Sequence, residues 1–456
     1  MDTRLHPDFL SSLGRRAEES ELRQPNYWTQ DPSSLITKCN IDTLVLGTGA
    51  SLYHSIAPVL ESTEHELILV TCFWARSTSL DVLRSCLSHL SDKGLKSGRK
   101  IRVRICLSSA SLLQKLLHTQ SLDGYVYPPT AWEGKLALPR PEDLGGLDLQ
   151  VKSIFVKPFS VMHPKFMIVD RQKVLLPSCN VSWEDWFEGC IGMTGPVVEQ
   201  FIRFWQKFWT KRYDADMLAT KPVQDQATST IVANDELALP AVLPIQTTDT
   251  PCIFLPSPHN LNPRFRLPWQ DAASAPSTPL NVFLLAAFGK AERNLYIQTP
   301  NLTSPPVLSA LLEAAQRGID IHVVTSERLM VLEQLVTAGT TTSSCVKKLI
   351  RRYESKDTVN ARSLDGIAEE GRAFMAGCLK IEYYEPTGKA ISTQEFEQRF
   401  HAEPVQSHLK LTIIDEELVV LGSGNLDRAS WYTSQELGVA FYSTELATSI
   451  RKTLDR

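Results

Sequence analysis

The chain has 456 residues, of which 43% are hydrophobic and 21% charged, and its formal net charge is −4 at pH 7. This composition is ordinary for a soluble globular protein, and the length allows about two to four domain-sized units. The mild negative charge argues against a protein that coats nucleic acid nonspecifically. No apolar run approaches the roughly 18 residues of a membrane span, and the N-terminal sequence lacks the apolar core of a secretory signal.

Nine cysteines are scattered along the sequence without CxxC pairs. This pattern favours buried free thiols in a reducing compartment over a zinc site. We therefore predict a cytoplasmic protein, with peripheral membrane association left open, and expect it to be a monomer.

The first half of the chain alternates strands and helices after a polar N-terminal extension, residues 1–40, with one short helix around 8–23. A first lobe is predicted over 41–213. Continuous apolar runs predict strands buried on both faces, and amphipathic runs predict helices. In chain order these are a helix over 50–61, a strand over 66–74, a helix over 79–92, a strand over 101–107, a strand over 163–169 and a helix over 196–209, whose aromatic stripe is interpreted as core.

Residues 214–280 are rich in Pro, Thr, Ala and Asp and are interpreted as a linker or long loop, with one strand near 252–255. The pattern then restarts in a second lobe, 281–456, which carries an insertion at about 340–405. The predicted elements here are a helix over 280–290, a strand over 294–298, a helix over 306–317, a strand over 319–324, a strand over 379–384, and a final strand and helix within 436–456.

The order helix, strand, helix, strand occurs in both halves, which indicates an internal duplication of roughly 170 residues. Strands that alternate with helices favour mixed, mostly parallel sheets covered by helices. We therefore predict an α/β protein of two similar α/β/α lobes. The basic run 347–352 in the insertion is interpreted as a solvated helix face, with contact to lipid or phosphate as the alternative.

One short polar pattern stands out in the first lobe. It reads His163-Pro-Lys165, then a four-residue apolar step, then Asp170, and beyond it Ser178-Cys-Asn180. A single pattern of this kind is only a hint, because short motifs arise by chance.

The second lobe repeats the pattern. It reads His408-Leu-Lys410, an apolar step of the same length, Asp415, and then Ser423-Gly-Asn425. His-x-Lys-x4-Asp is expected by chance on the order of a few hundredths of a time in such a chain, and two copies are far rarer. The repetition therefore indicates function.

The residue types suit a phosphate ligand. Residues i and i+2 of a strand point to one side, so we expect each histidine and its lysine to project together. Lysine offers a cation to a phosphate oxygen, and serine and asparagine donate without adding charge. Two half-sites that face one phosphate would stabilise the charge that builds up in the transition state.

Two histidines also offer two chemical roles. One imidazole attacks phosphorus, and the other protonates the leaving alcohol and then deprotonates the incoming water or alcohol. We expect neither a metal nor a cofactor, because lysines and amides supply the positive charge. The carboxylates Glu188 and Glu436 occupy corresponding places in the two copies and are candidates to hold a histidine ring. Asp170 and Asp415 each lie seven residues after the histidine of their motif. On a strand, residues an odd number apart point to opposite sides, so a structural role is favoured for these aspartates.

The paired motifs resemble the phospholipase D superfamily, and the duplication covers nearly all of 41–456. The second copy, 422–430 with Glu436, is especially similar to the cardiolipin synthase and phospholipase D branch. The resemblance implies a two-lobed fold with one active site at the lobe interface and two-step, metal-independent phosphodiester chemistry. It implies that His163 is the nucleophile and His408 the acid and base.

The resemblance also implies phosphate contacts from both copies. Pro177 departs from the second copy, which has Gly422 there, and puts the adjacent serine in doubt. The expected phosphate-binding residues are Lys165, Lys410, Asn180, Asn425, Ser178 and Ser423.

The leading hypothesis is a phospholipase D-type phosphodiesterase that cleaves or exchanges the head group of a phospholipid. One alternative keeps the chemistry and takes nucleic acid or a small phosphodiester. The absence of a long basic stretch or an aromatic platform argues against nucleic acid. An alternative of another class is a catalytically silent scaffold that binds lipid or phosphate.

Overall fold

The computed structural model describes residues 7, 9–13, 28, 31–110, 124–156, 160–210, 241–243, 245–257, 273–364, 376–386 and 404–455, without the side chains of 356–364. The chain divides into two compact units. The first unit comprises Ile36–Phe254 and Glu385–His408. The second unit comprises Met1–Leu35, Leu255–Tyr384 and Leu409–Arg456.

The strands and helices follow the predicted alternation. The strands are β1 (Ile36–Gly47), β2 (Glu66–Phe73), β3 (Ile101–Ser109), β4 (Tyr125–Val126), β5 (Leu147–Ser153), β6 (Phe155–Val156), β7 (Ser160–Val161), β8 (Phe166–Val169), β9 (Lys173–Pro177), β10 (Trp186–Thr194), β11 (Ala241–Leu243), β12 (Thr247–Ser257), β13 (Asn294–Thr299), β14 (Asp320–Thr325), β15 (Leu379–Tyr383), β16 (Gln406–Ser407), β17 (Leu411–Ile414), β18 (Leu418–Gly422) and β19 (Glu436–Tyr442). The helices are α1 (Gly49–Glu61), α2 (Thr78–Ser97), α3 (Trp132–Leu136), α4 (Val197–Trp209), α5 (Pro279–Lys290), α6 (Pro305–Gln316), α7 (Val331–Ala338), α8 (Thr342–Leu364), α9 (Arg428–Tyr432) and α10 (Thr444–Leu454).

Each unit contains a sheet with the same central strand order. In the first unit the order is β5-β3-β2-β8-β9-β10, with parallel pairs up to β2 and antiparallel pairs from there on. In the second unit β15-β14-β13-β17-β18-β19 repeats both the order and the strand directions. The predicted α/β class with mixed sheets is confirmed.

The expectation of mostly parallel sheets is wrong, because antiparallel pairs outnumber parallel ones among the described strands. The antiparallel pairs come from the hairpins β8–β9–β10 and β17–β18–β19 and from the pairing of β1 with β10, β11 and β12. Only three residues separate β8 from β9 and β17 from β18, which is too few for a crossover helix, so these strands fold back directly on one another.

Several helices begin at a residue whose side chain caps the first turn. The Thr48 hydroxyl accepts a hydrogen bond from Ser51 N at the start of α1, and Thr278 does the same for Asn281 N at the start of α5. Helix α2 ends before Gly98, whose φ of 65° is the left-handed conformation of a helix C-terminus. The aromatic stripe of α4 is buried, as predicted for a core helix, and comprises Phe201, Phe204, Trp205, Phe208 and Trp209.

Three predicted boundaries differ from the structure. Strand β1 begins at Ile36, inside the predicted N-terminal extension. The linker region contains β11 and β12, which pair with β1. Within the predicted insertion, β15 pairs in parallel with β14, in the place that β5 occupies beside β3, so this part belongs to the repeated fold. Most of the predicted helix at 8–23 lies outside the described residues, although 9–13 are helical.

Candidate active site

Both His-x-Lys segments lie immediately before a strand rather than on it. Strand β8 begins at Phe166 and β17 at Leu411, directly after the lysine of each motif. The strand predicted over 163–169 is therefore shorter at its N-terminal end, where Pro164 supplies no amide hydrogen for a sheet ladder. The alternation rule of a regular strand thus does not fix the direction of these side chains.

The two motif lysines are buried, with only 1% of Lys165 and 4% of Lys410 exposed to solvent. Lysine is rarely buried unless it has a partner. Lys165 Nζ donates a hydrogen bond of 2.8 Å to the carbonyl oxygen of its own motif histidine, His163. This contact holds the ammonium beside the half-buried His163 in the first unit.

His408 belongs to the first unit and is bound there by Glu188. Its Nδ1 atom lies 2.6 Å from Glu188 Oε1, and both side chains are at least 96% buried. Strand β16 leads into this contact by pairing in parallel with β10, and His408 N donates to Phe187 O at 2.9 Å. The ring of Trp186 lies 4.8 Å from the imidazole. The histidine is therefore fixed through both its backbone and its ring.

A serine completes the contacts of the first glutamate. The Ser178 hydroxyl donates to Glu188 Oε2, and it accepts a hydrogen bond of 2.9 Å from Gly189 N. The carboxylate of Glu188 is thus held at both oxygens, one by the serine and one by the histidine.

The second unit repeats the serine–glutamate contact. Ser423 Oγ donates to Glu436 Oε2 at 2.5 Å and accepts from Leu437 N at 3.1 Å. The other oxygen, Oε1, accepts from Ser430 Oγ at 2.7 Å. Ser178 N and Ser423 N also donate to equivalent carbonyls of β10 and β19, so Pro177 does not alter this backbone contact. The phosphate-binding role predicted for the two serines stays a prediction, since both hydroxyls face carboxylates.

The two motif asparagines are held differently. Asn180 Oδ1 accepts a hydrogen bond of 3.2 Å from Phe73 N at the end of β2. Asn425 Nδ2 donates to Asp427 Oδ2 at 3.0 Å, while its buried Oδ1 atom has no hydrogen-bond partner. Their predicted role in phosphate binding is untested.

The motif aspartates both lie in hairpin turns. Asp170 carboxylate oxygens accept hydrogen bonds of 2.7–2.9 Å from the backbone amides of residues 64–66. Asp415 accepts in the same way from the amides of residues 292–294, at 2.7–3.3 Å. Such contacts tie the turn to the start of a neighbouring strand, the arrangement expected of a structural residue.

Within the described residues, no group of three or more His, Cys, Asp and Glu side chains is arranged to hold a metal ion. None of the helices in the described parts of the chain combines the length and the hydropathy needed to cross a bilayer.

Residues 284–456 match a family described as "Cardiolipin synthase, PLD-like domain". This match includes the second His-x-Lys motif and Glu436. Residues 284–456 thus carry a phospholipase D-like domain of the cardiolipin synthase type. The match supports the family that the paired motifs indicated, over the part of the chain that holds the second motif.

One solved structure has a similar fold over most of the chain. Phosphatidylserine synthase from Haemophilus influenzae Rd KW20 is 14% identical, with a TM-score of 0.53, and the alignment covers 92% of this chain and 87% of that one. The phospholipase D family member Nuc from Salmonella typhimurium is 20% identical over 39% of this chain and 86% of its own, with a TM-score of 0.24. No curated protein matched the sequence.

The surroundings of three residues of the site were not predicted from the sequence. The ring of Trp186 packs on the ring of His408, a contact that the motif does not indicate. Ser430, which binds Glu436, follows the second Ser-x-Asn by five residues and has no counterpart signal in the first copy. Cys179 is buried, and burial raises the pKa of its thiol, which the nearby Glu188 carboxylate raises further.

Proposed function

We propose that this protein is a metal-independent phosphodiesterase of phospholipase D type, which cleaves or exchanges the head group of a phospholipid through a phosphohistidine. The observation that carries the proposal is the buried pair of His408 and Glu188, 2.6 Å apart, in a chain with two copies of the motif. The family match and the fold of a phosphatidylserine synthase support a phospholipid substrate.

The first step forms a bond between His163 nitrogen and the phosphorus atom and breaks the bond from phosphorus to the head-group oxygen. His408 donates a proton to that oxygen as it leaves. In the second step a water or alcohol loses a proton to His408 and attacks phosphorus, which breaks the bond to His163. Water yields phosphatidic acid, and an alcohol yields an exchanged lipid.

Glu188 supports the acid–base role of His408. With Nδ1 directed at the carboxylate, the Nε2 atom is the one left to give and take the proton. The negative charge also stabilises the protonated ring. Glu436 is assigned the same role towards a histidine by its correspondence with Glu188, because both carboxylates bind the serine of their own copy.

The lysines and asparagines are assigned to the phosphate. Lys165 and Lys410 are buried cations, and an anionic oxygen beside them would offset the cost of removing an ammonium from water. Asn180 and Asn425 offer amide groups that donate without further charge.

The test measures turnover of head-group-labelled phosphatidylcholine or phosphatidylglycerol with EDTA present, with and without a primary alcohol. We expect phosphatidic acid or exchanged lipid from the wild-type protein. His163→Ala and His408→Ala should each lose activity by about 10²-fold or more. His54→Ala is the matched control, because His54 is an exposed histidine outside the motifs.

Turnover that survives in both motif variants would exclude the proposed chemistry. If the wild-type protein cleaves oligonucleotides and no lipid, the phosphodiesterase chemistry is supported and the phospholipid substrate is wrong. Failure on every diester would instead favour a scaffold that binds lipid or phosphate without turnover.

A further inference from the structure

Helix α7 of the second unit has its apolar residues on the outside. The exposed fractions are 80% for Leu332, 60% for Val336, 47% for Leu335 and 38% for the preceding Met330. These four residues, the apolar face of α7, are half of the large hydrophobic residues that are exposed in the described chain. An ordinary surface helix directs such residues at the core.

The buried residue of α7 is a glutamine. Only 3% of Gln334 is exposed, and its Nε2 atom donates to Leu329 O at 2.6 Å. Its Oε1 atom accepts from both the amide and the hydroxyl of Thr342, at 2.6 and 3.0 Å. The helix is thus anchored by polar contacts, while its apolar side chains remain in solvent. Because the side chains of the apolar face of α7 are exposed, they contribute little to the stability of the folded unit. A cluster of exposed apolar residues of this kind often marks an interaction site.

The contact between Gln334 and Thr342 also connects α7 to the second motif. Thr342 Oγ1 accepts a hydrogen bond of 3.1 Å from Leu302 N, and Leu302 forms a parallel bridge with Leu426. Leu426 directly follows Asn425 of the second motif. Helix α7 also packs against α9, whose Ser430 binds Glu436. The exposed helix is therefore connected to the second motif by contacts within the second unit.

Basic residues are concentrated in the sequence around α7, although the chain is negative overall. Residues 327–352 contain five basic and two acidic side chains, whereas the whole chain has a net charge of −4. Lys347 and Lys348 are exposed on α8, whose first residue, Thr342, contacts Gln334. They lie about 8 Å along the axis of α8 from that contact. The side chain of Arg328, before α7, is 81% exposed and its Nε atom lies 3.6 Å from the carboxylate of Glu327.

We propose that the apolar face of α7 is a docking surface for an anionic phospholipid bilayer. Apolar side chains on a helix with basic residues nearby are the pattern of helices that lie in the bilayer interface. The Leu, Val and Met side chains enter the acyl boundary, and the lysines and arginines interact with the anionic head groups. Binding to the bilayer does not depend on catalysis, but its use in turnover rests on the proposed lipid substrate.

The test is cosedimentation of the full chain with vesicles of phosphatidylcholine and phosphatidylglycerol, and with vesicles of phosphatidylcholine alone. We expect binding that is stronger on the anionic vesicles and weakens with salt. Leu332→Ser/Val336→Ser should weaken binding at least tenfold, and Lys347→Glu/Lys348→Glu should remove the preference for anionic lipid. Leu95→Ser is the matched control, because Leu95 is 62% exposed on α2 of the first unit.

Three outcomes would overturn the proposal: no vesicle binding by the wild-type chain, equal binding by the serine variant, or a wild-type dimer that the serine variant converts to monomer. The vesicle assay measures no turnover, so a failure of the proposed function leaves its result intact. Turnover of a water-soluble short-chain diester measures catalysis without a bilayer. This turnover should be equal in the serine variant and the wild-type protein.

Discussion

His408 Nδ1 lies 2.6 Å from Glu188 Oε1 inside a buried pair, although 220 positions separate the two residues in the sequence. The carboxylate comes from β10 in the first copy of the duplicated pattern and the imidazole from the second copy. The pair therefore exists only when the segment at 404–408 adds β16 to the sheet of the first unit.

Replacement of Glu188 by glutamine should reduce turnover. The amide preserves the shape of the side chain and removes the negative charge that stabilises protonated His408. We expect kcat to fall by about 10²-fold or more with little change in KM, and the alkaline loss of activity to begin at lower pH. Steady-state kinetics across pH tests this. Glu184→Gln, four residues earlier, is the control, and an unchanged pH profile in Glu188→Gln would refute the role.

The contribution of Glu184 to the stability of the protein should be less favourable at neutral than at acidic pH. Burial raises the pKa of this carboxyl from its ordinary value of 4.5, and its Oε2 atom is buried without a hydrogen-bond partner. A raised carboxyl pKa in the folded state means that its penalty is absent in acid and grows as pH rises above 4.5. Glu184→Gln removes the penalty.

The midpoint of thermal unfolding should therefore be higher for Glu184→Gln than for wild type at pH 8, and the two should converge near pH 4. Glu313→Gln, at an exposed position of α6, serves as the control. A variant that unfolds below the wild type at pH 8 would show that the charged carboxylate is stabilising instead.

Asp170 and Asp415 should contribute to stability rather than to chemistry. Alanine at either position leaves the three backbone amides of the neighbouring turn without their acceptor. We expect each substitution to reduce the free energy of unfolding by about 1–3 kcal/mol, measured by urea denaturation. Asp92→Ala, at an exposed site on α2, is the control.

Turnover per folded molecule should remain near the wild-type value in both aspartate variants. A large loss of kcat in a variant with wild-type stability would place that aspartate in the chemistry.

The same two aspartates explain why the sheet directions were mispredicted. Asp170 and Arg171 have φ values of 50° and 57°, and Asp415 and Glu416 have 54° and 57°. Two consecutive positive φ angles form the tight hairpin turn that usually carries Asn-Gly or Asp-Gly. Without the glycine, the hairpins β8–β9 and β17–β18 gave no turn signal, and parallel strands were favoured in their place.

The motif residues could be predicted from the sequence more readily than the residues that they contact. His163, Lys165, His408 and Lys410 could be predicted because the chain repeats their spacing. The choice of Glu188 for His408 could not, since it depends on β16 pairing with β10 across a long stretch of chain. Hydrophobic runs predicted most strands and helices because burial on both faces leaves a continuous apolar sequence.

The most direct test of the central claim is intact-protein mass spectrometry after reaction with a p-nitrophenyl ester of phosphatidic acid. The nitrophenolate leaves without protonation, so the first step should proceed without the acid, while the second step should be slow in His408→Ala. We expect a stoichiometric release of nitrophenolate and a phosphatidyl adduct on His163 in His408→Ala, and neither in His163→Ala. An adduct of equal yield in His163→Ala, or none in either variant of a protein that turns over the ester, would contradict the account.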